Sequence, residues 1–228
     1  MYLTRRVRPD IETLISFLTT RVTKRDTDDW SKLRKGLTYI QNKIDEKRVI
    51  DVKSLSDMDK AFRVHPNMRG HTGGAIFMGY GVLHCKGAKQ KLNTKSSTES
   101  KLVGVSEYVP YNIWVIMFLK EQGYEIENNI IYQDNQSTMK MLINGRNSCT
   151  GNSCHLSIRY FFVKDRIANG EMKVEYCPSM YMIADFFTKP LMGHRFRELR
   201  SVIMGHKSIF DLDPNLLQQI KKRVGKTN

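Results

Sequence analysis

Cysteine is scarce and irregularly placed. Cys85, Cys149, Cys154 and Cys177 follow no pairing pattern, which argues against a disulfide framework and fits thiols kept reduced inside a cell. Only Cys149, Cys154 and His155 approach a metal-ligand spacing, and without a second ligand pair no structural zinc site is expected. Long apolar runs are missing too. No run nears the ~20 residues a bilayer-spanning helix needs, and no secretory core follows the N-terminus. The expected compartment is therefore cytoplasm or nucleus, with no membrane partner. There is no internal repeat and no low-complexity tract, which excludes a repeat architecture. Acids are outnumbered, 23 against 37 Lys and Arg, for a formal net charge of +14. Such an excess favours polyanionic partners through counterion release and steering, although a merely solubilising surface has the same signature.

What the chain does contain suits a folded domain. Its 228 residues, 40% of them hydrophobic, are enough for one core plus appendages. The opening MYLTRRVRPD reads as an interior stretch of a longer protein. Residues 9–22 predict a helix with Pro9 in its first turn and Ile11, Leu14, Ile15, Leu18 and Val22 on one face. Thr27, Asp28 and Asp29 signal a second helix, whose face is Trp30, Leu33, Leu37, Ile40 and Ile44. Together they form a hairpin over 1–48, with a boundary in the charged stretch 45–48.

From residue 49 the pattern shortens into strands. Residues 75–78 and 82–85 flank Gly79 and Gly81 as a hairpin, and 91–94 can continue as a third strand. A long helix runs from 97 to 122, with Leu102, Val105, Val109, Ile113 and Ile116 inward, a kink expected at Pro110 and a stop at Gly123. A strand at 129–132, helices at 136–143 and 156–168, a strand at 172–176 and a short helix at 181–187 follow. The expected fold class is α/β, in the order βββ-α-β-α-α-β-α, with a mixed sheet between helices. The body spans 49–192, and a helical basic tail spans 193–228.

Four acids stand out by context: Asp59 in DKAFRVH, Glu99 in SSTESK, Asp134 in YQDNQS and Asp185 in IADFFTKP. They lie dozens of residues apart, so only a tertiary fold can gather them. Gathered carboxylates repel one another unless a cation holds them, and hard oxygen ligands suit Mg²⁺ or Mn²⁺. Each also has a plainer reading. Asp134 can cap the helix that follows it. Ser96 to Glu99 matches a capping box. Asp185 can lie on a solvated helix face, and Asp57, two residues from Asp59, would share its side of a strand.

The segments AFRVHPNMRGHTGG (61–74), KQKLNTKSSTES (89–100), IIYQDNQS (130–137), HLSIRYFFVKDRI (155–167) and EYCPSMYMIADFFTKPL (175–191) resemble, in order, the ribonuclease H domain of copia-type LTR retrotransposon polyproteins. The first 48 residues resemble the segment joining reverse transcriptase to that domain. The resemblance implies a ribonuclease H-like five-stranded mixed sheet with Asp59, Glu99, Asp134 and Asp185 as its catalytic and metal-binding acids. It also implies two Mg²⁺ or Mn²⁺ ions, cleavage of the RNA strand of an RNA–DNA hybrid, and a reverse transcriptase partner within a larger polyprotein. Lys86, Lys89, Lys91 and Lys95 precede Glu99 and are candidates for phosphate contacts, or for a lysine-guarded strand edge. His155 matches a His of the family, or caps a helix.

The chain departs from the pattern in three places. Residues 53–59, KSLSDMD, are polar and poor in strand formers for a central strand. Residues 177–184 carry no His where many ribonucleases H place one. No YxDD-type polymerase sequence occurs. These departures leave a second reading open, a non-catalytic remnant that binds nucleic acid through a basic surface.

Overall fold

A computed structural model describes residues 2–51, 57–63, 71–91, 94, 96–126, 128–144, 157–208 and 211–212. The chain opens with α1 (Tyr2–Arg6), a 3-10 turn (Pro9–Ile11), α2 (Glu12–Thr19) and α3 (Thr27–Gln41). It continues through β1 (Asp57–Arg63), β2 (His71–Phe77), β3 (Val82–Lys89), α4 (Ser97–Glu121), β4 (Asn128–Gln133) and α5 (Gln136–Asn144). The last elements are α6 (Ser157–Ala168), β5 (Lys173–Tyr176), a 3-10 turn (Ser179–Tyr181), α7 (Asp185–Thr188) and α8 (Gly193–Ile203).

The architecture is mixed α/β. The strands form a sheet in the order β3-β2-β1-β4-β5, with β1 central. β1–β2 and β2–β3 are antiparallel, while β1–β4 and β4–β5 are parallel. Of the expected strand at 91–94, residues 92 and 93 lie outside the described residues and Lys91 lies in a bend; beside the hairpin the sheet takes β1, which sits upstream of it.

Alternation along β2 divides the interior into two cores. Ile76 joins Ile131 and the α4 residues Leu102, Val105, Tyr108 and Val109. Ala75 and Phe77 face the other way, onto Ile183, Phe186 and Phe187 and the α8 residues Leu199, Val202 and Ile203. Two glycines let the helices come close to β2. A Cβ at Gly73 would stand 2.4 Å from Thr188 and 3.1 Å from the Ala184 carbonyl, and one at Gly74 would stand 2.7 Å from the Tyr108 ring.

α4 meets the expected bounds and runs unbroken through exposed Pro110. By length and composition it is apolar enough to cross a membrane, which the short-run reading did not anticipate. Half of its most apolar window is buried within this fold, so its hydrophobicity has a partner in the sheet.

The N-terminal helices follow the expected apolar faces only in part: Ile11 is buried, and Leu14, Ile15, Leu18, Leu33 and Ile40 are half-buried. α2 buries Glu12 and Ser16, and Val22 beyond it is exposed. The reason is the edge of β3. Glu12 Oε1 accepts from the Gly87 N–H at 3.2 Å, and Ser16 Oγ donates to the Gly87 carbonyl at 2.9 Å. The helix thus satisfies an edge strand through its side chains. α3 starts one residue earlier than signalled, with Asp26 as N-cap and a reciprocal bond from Asp29. It turns Asp29 and Gly36 inward and leaves Trp30, Leu37 and Ile44 exposed. The Arg21–Asp29 pair at 2.6 Å and the approach of Leu14 over Gly36 set that rotation. At the other end, α8 is tied back by Arg200, which bonds Asp10 and Glu46, and by the Val49 N–H to the Met204 carbonyl at 2.8 Å.

Candidate functional site

β4 delivers Asp134 to the carboxyl end of the parallel strands, where open α/β sheets bind ligands. The side chain of buried Gln133 accepts from the Asp134 and Asn135 N–H groups and shapes the turn. Asn135, not Asp134, caps α5, because its Oδ1 accepts from the Thr138 N–H at 2.8 Å. The capping explanation for Asp134 therefore falls away.

Glu99 reaches the same end of the sheet from the first turn of α4. Ser96 caps that helix by accepting from the Glu99 N–H at 3.1 Å. Gln90, just beyond β3, donates to the Ser100 carbonyl at 2.7 Å and to Thr72 at 3.1 Å, which locks the helix start to β2 and β3. Asp185 opens α7. It is only 6% exposed, so the solvated-face reading is wrong; the Phe186–Phe187 pair sinks this short helix into the core. Glu99, at 8%, is buried as well.

Two lysines meet these acids. Lys101 Nζ stands 2.8 Å from Asp134 Oδ1, with side-chain exposures of 11% and 3%. Ser179 donates to the other Asp134 oxygen at 3.2 Å. Lys189 lies 3.2 Å from Asp185, one helical turn on. Neither lysine stood out in the sequence. The available signal was Lys101 two positions after Glu99, on the same helix start.

The backbone of Asp59 is set back from this end of the sheet. The register places it opposite Phe77 and Ile130. That is four positions short of Asp134, about 13 Å at a strand rise of ~3.3 Å per residue. Phe62 is the β1 residue opposite Gln133. Asp57 lies further back still, opposite Asn128.

The candidate phosphate contacts do not form one patch. Lys86 and Lys89 alternate across β3. Lys86 Nζ lies 4.9 Å over the Tyr111 ring of α4. Lys89 lines a cleft of about 920 Å³ on the opposite side, together with Phe17, Lys32, His71, Lys189 and Phe196. Lys91 is exposed, whereas Lys95, Cys149, Cys154 and His155 lie outside the described residues. The cleft adjoins α7 through Lys189, so a basic, partly apolar groove borders the acidic end of the sheet.

The donor set fits a hard divalent cation in kind, since it offers buried carboxylate oxygens. Its grouping does not fit. Among the described residues no three His, Cys, Asp or Glu side chains stand together as a metal site, and Asp134 and Asp185 each carry a lysine.

Comparison with known proteins finds similarity over most of the chain. A Retrovirus-related Pol polyprotein from transposon RE2 of Arabidopsis thaliana is 23% identical over 197 residues, 83% of this chain. The chain is thus similar to stretches of transposon Pol polyproteins. The Pol polyprotein from transposon TNT 1-94 of Nicotiana tabacum is 21% identical over 88% of the chain, and the Ty1-H Gag-Pol polyprotein of Saccharomyces cerevisiae is 24% identical over 75%. The chain spans 13%, 15% and 9% of these larger polyproteins. No protein-family model matches the chain, and no solved structure matches it.

Proposed function

We propose that this chain is a ribonuclease H-type domain of a transposon Pol polyprotein that engages RNA–DNA hybrids and cuts their RNA strand. Residues 1–48 would be the end of the reverse transcriptase connection. One observation carries the reading: Glu99, Asp134 and Asp185, in the order the resemblance requires, all lie at the carboxyl end of the parallel strands of a five-stranded mixed sheet. Two Mg²⁺ or Mn²⁺ ions are what the resemblance implies, and the described acids would hold them only once Lys101 and Lys189 gave way. The chain's own residues do the positioning. Gln133 orients Asp134, Gln90 fixes the start of α4, and the groove holding Lys32 and Lys89 offers cations to a phosphate backbone.

A second reading, binding without cutting, is favoured by the lysine pairs and by the setback of Asp59. Incubation of the chain with an end-labelled RNA–DNA hybrid in Mg²⁺ or Mn²⁺ separates the two. Metal-dependent RNA fragments that vanish in Asp134→Asn support the enzyme. Equal background in wild type and variant, with the hybrid still retained, supports the binder. Asp59→Asn reports whether the central strand contributes a ligand.

A further inference from the structure

Lys101 is a buried cation whose ammonium reaches a buried carboxylate 33 residues along the chain. Its Nζ contacts Asp134 Oδ1 at 2.8 Å, and Ser179 donates to Oδ2 at 3.2 Å, so both oxygens of Asp134 accept from the protein itself. An ammonium so placed satisfies the carboxylate's charge. A divalent ion approaching Asp134 would meet a like charge within a few ångströms, in surroundings that screen it poorly. Lys189 at Asp185 is a weaker version of the same arrangement, because its side chain is 32% exposed and can move into solvent. Lys101 is far less exposed, at 11%.

We propose that Lys101 is a built-in counter-ion that holds the place of a divalent cation at Asp134, so that this chain keeps its acidic end neutralised without metal. The proposal rests on the reading of these acids as a metal pocket. It makes Lys101 a positioning residue that sets metal affinity at Asp134.

The test is Mn²⁺ binding to the full chain, read by loss of the free-ion electron paramagnetic resonance signal, in wild type, Lys101→Met, Lys101→Arg and Lys101→Met/Asp134→Asn. The expected result is that Lys101→Met binds Mn²⁺ at least ~10-fold more tightly than wild type. Lys101→Arg stays as weak as wild type, and the double variant loses the gain. Circular dichroism melts establish which variants fold. If Lys101→Met does not fold, the wild type still decides: tight Mn²⁺ binding that Asp134→Asn abolishes overturns the proposal. Equal and measurable affinity in wild type and Lys101→Met also overturns it, while leaving the metal pocket intact. No binding in any variant sinks both the proposal and the metal pocket beneath it. Fluorescence anisotropy with an RNA–DNA hybrid in EDTA reads the nucleic-acid partner separately.

Discussion

Asp134 and Lys101 illustrate how much one buried pair can decide. The pair is largely shielded from solvent, and removing one partner of such a pair typically costs about 3–5 kcal/mol. Asp134→Asn is therefore expected to lower stability by roughly that amount in a denaturant titration. The Lys101→Met/Asp134→Asn double variant should recover much of the loss. His84 makes a second residue-scale prediction. The Tyr108 hydroxyl donates to the His84 carbonyl at 3.0 Å, so it accepts from His84 Nδ1–H at 2.9 Å, which fixes that tautomer. Burial, followed by the charges of Arg5, Lys86, Arg6 and Arg48, lowers the imidazole pKa to about 4. Because the folded value is below the unfolded 6.5, the unfolded chain binds the proton more readily between these two values. The contribution of the neutral ring is complete above pH 6.5 and is lost as pH falls toward about 4. Melting temperature should drop over that window, and His84→Asn should show a shallower drop.

At the scale of elements, α2 completes the sheet at the edge of β3. Its Glu12 and Ser16 satisfy the outward N–H and carbonyl of Gly87, the two groups that would otherwise template another strand. Glu12→Ala leaves the Gly87 N–H without this partner and is expected to cost about 1–3 kcal/mol. Faster amide exchange at Gly87, with little change at Ile76, is the signature to look for. The apolar stripes of the two N-terminal helices did not foretell this. Periodicity identifies a stripe, but the neighbour determines which side turns inward, and here the neighbour was a strand edge in need of polar groups. α4 behaved the opposite way. Its Ser96 cap, its length and its inward Leu102, Val105 and Val109 were all legible, because a cap and a 3.6-residue period are local properties.

Across the whole molecule, the two cores share one sheet, and α8 is stapled to the N-terminal helical segment. Arg200 of α8 joins Asp10 and Glu46, and Arg8 and Tyr39 complete the shell around Asp10. Burial works against ionisation of Asp10, but Arg8, Tyr39 and Arg200 outweigh it and hold its pKa below the usual carboxylate range. The helical segment at 1–48 therefore packs on the body through α2, and α8 belongs to the second core. A net charge of +14 acts at this scale as well. Hybrid binding should weaken at least ~10-fold between 50 and 200 mM salt, with a linear log–log slope in an anisotropy titration. A flat slope would remove the electrostatic basis for a nucleic-acid partner.

Local chemistry alone specified the limits of α4 and the basic balance of the chain. Each of these depends on composition, caps or periods that act over a few residues. Only the folded molecule decided that Asn135 and not Asp134 caps α5, that Asp59 sits four positions back along the central strand, and that Lys101 meets Asp134. Strand register and ion pairs between distant residues depend on which surfaces pack together, and no local pattern encodes that choice.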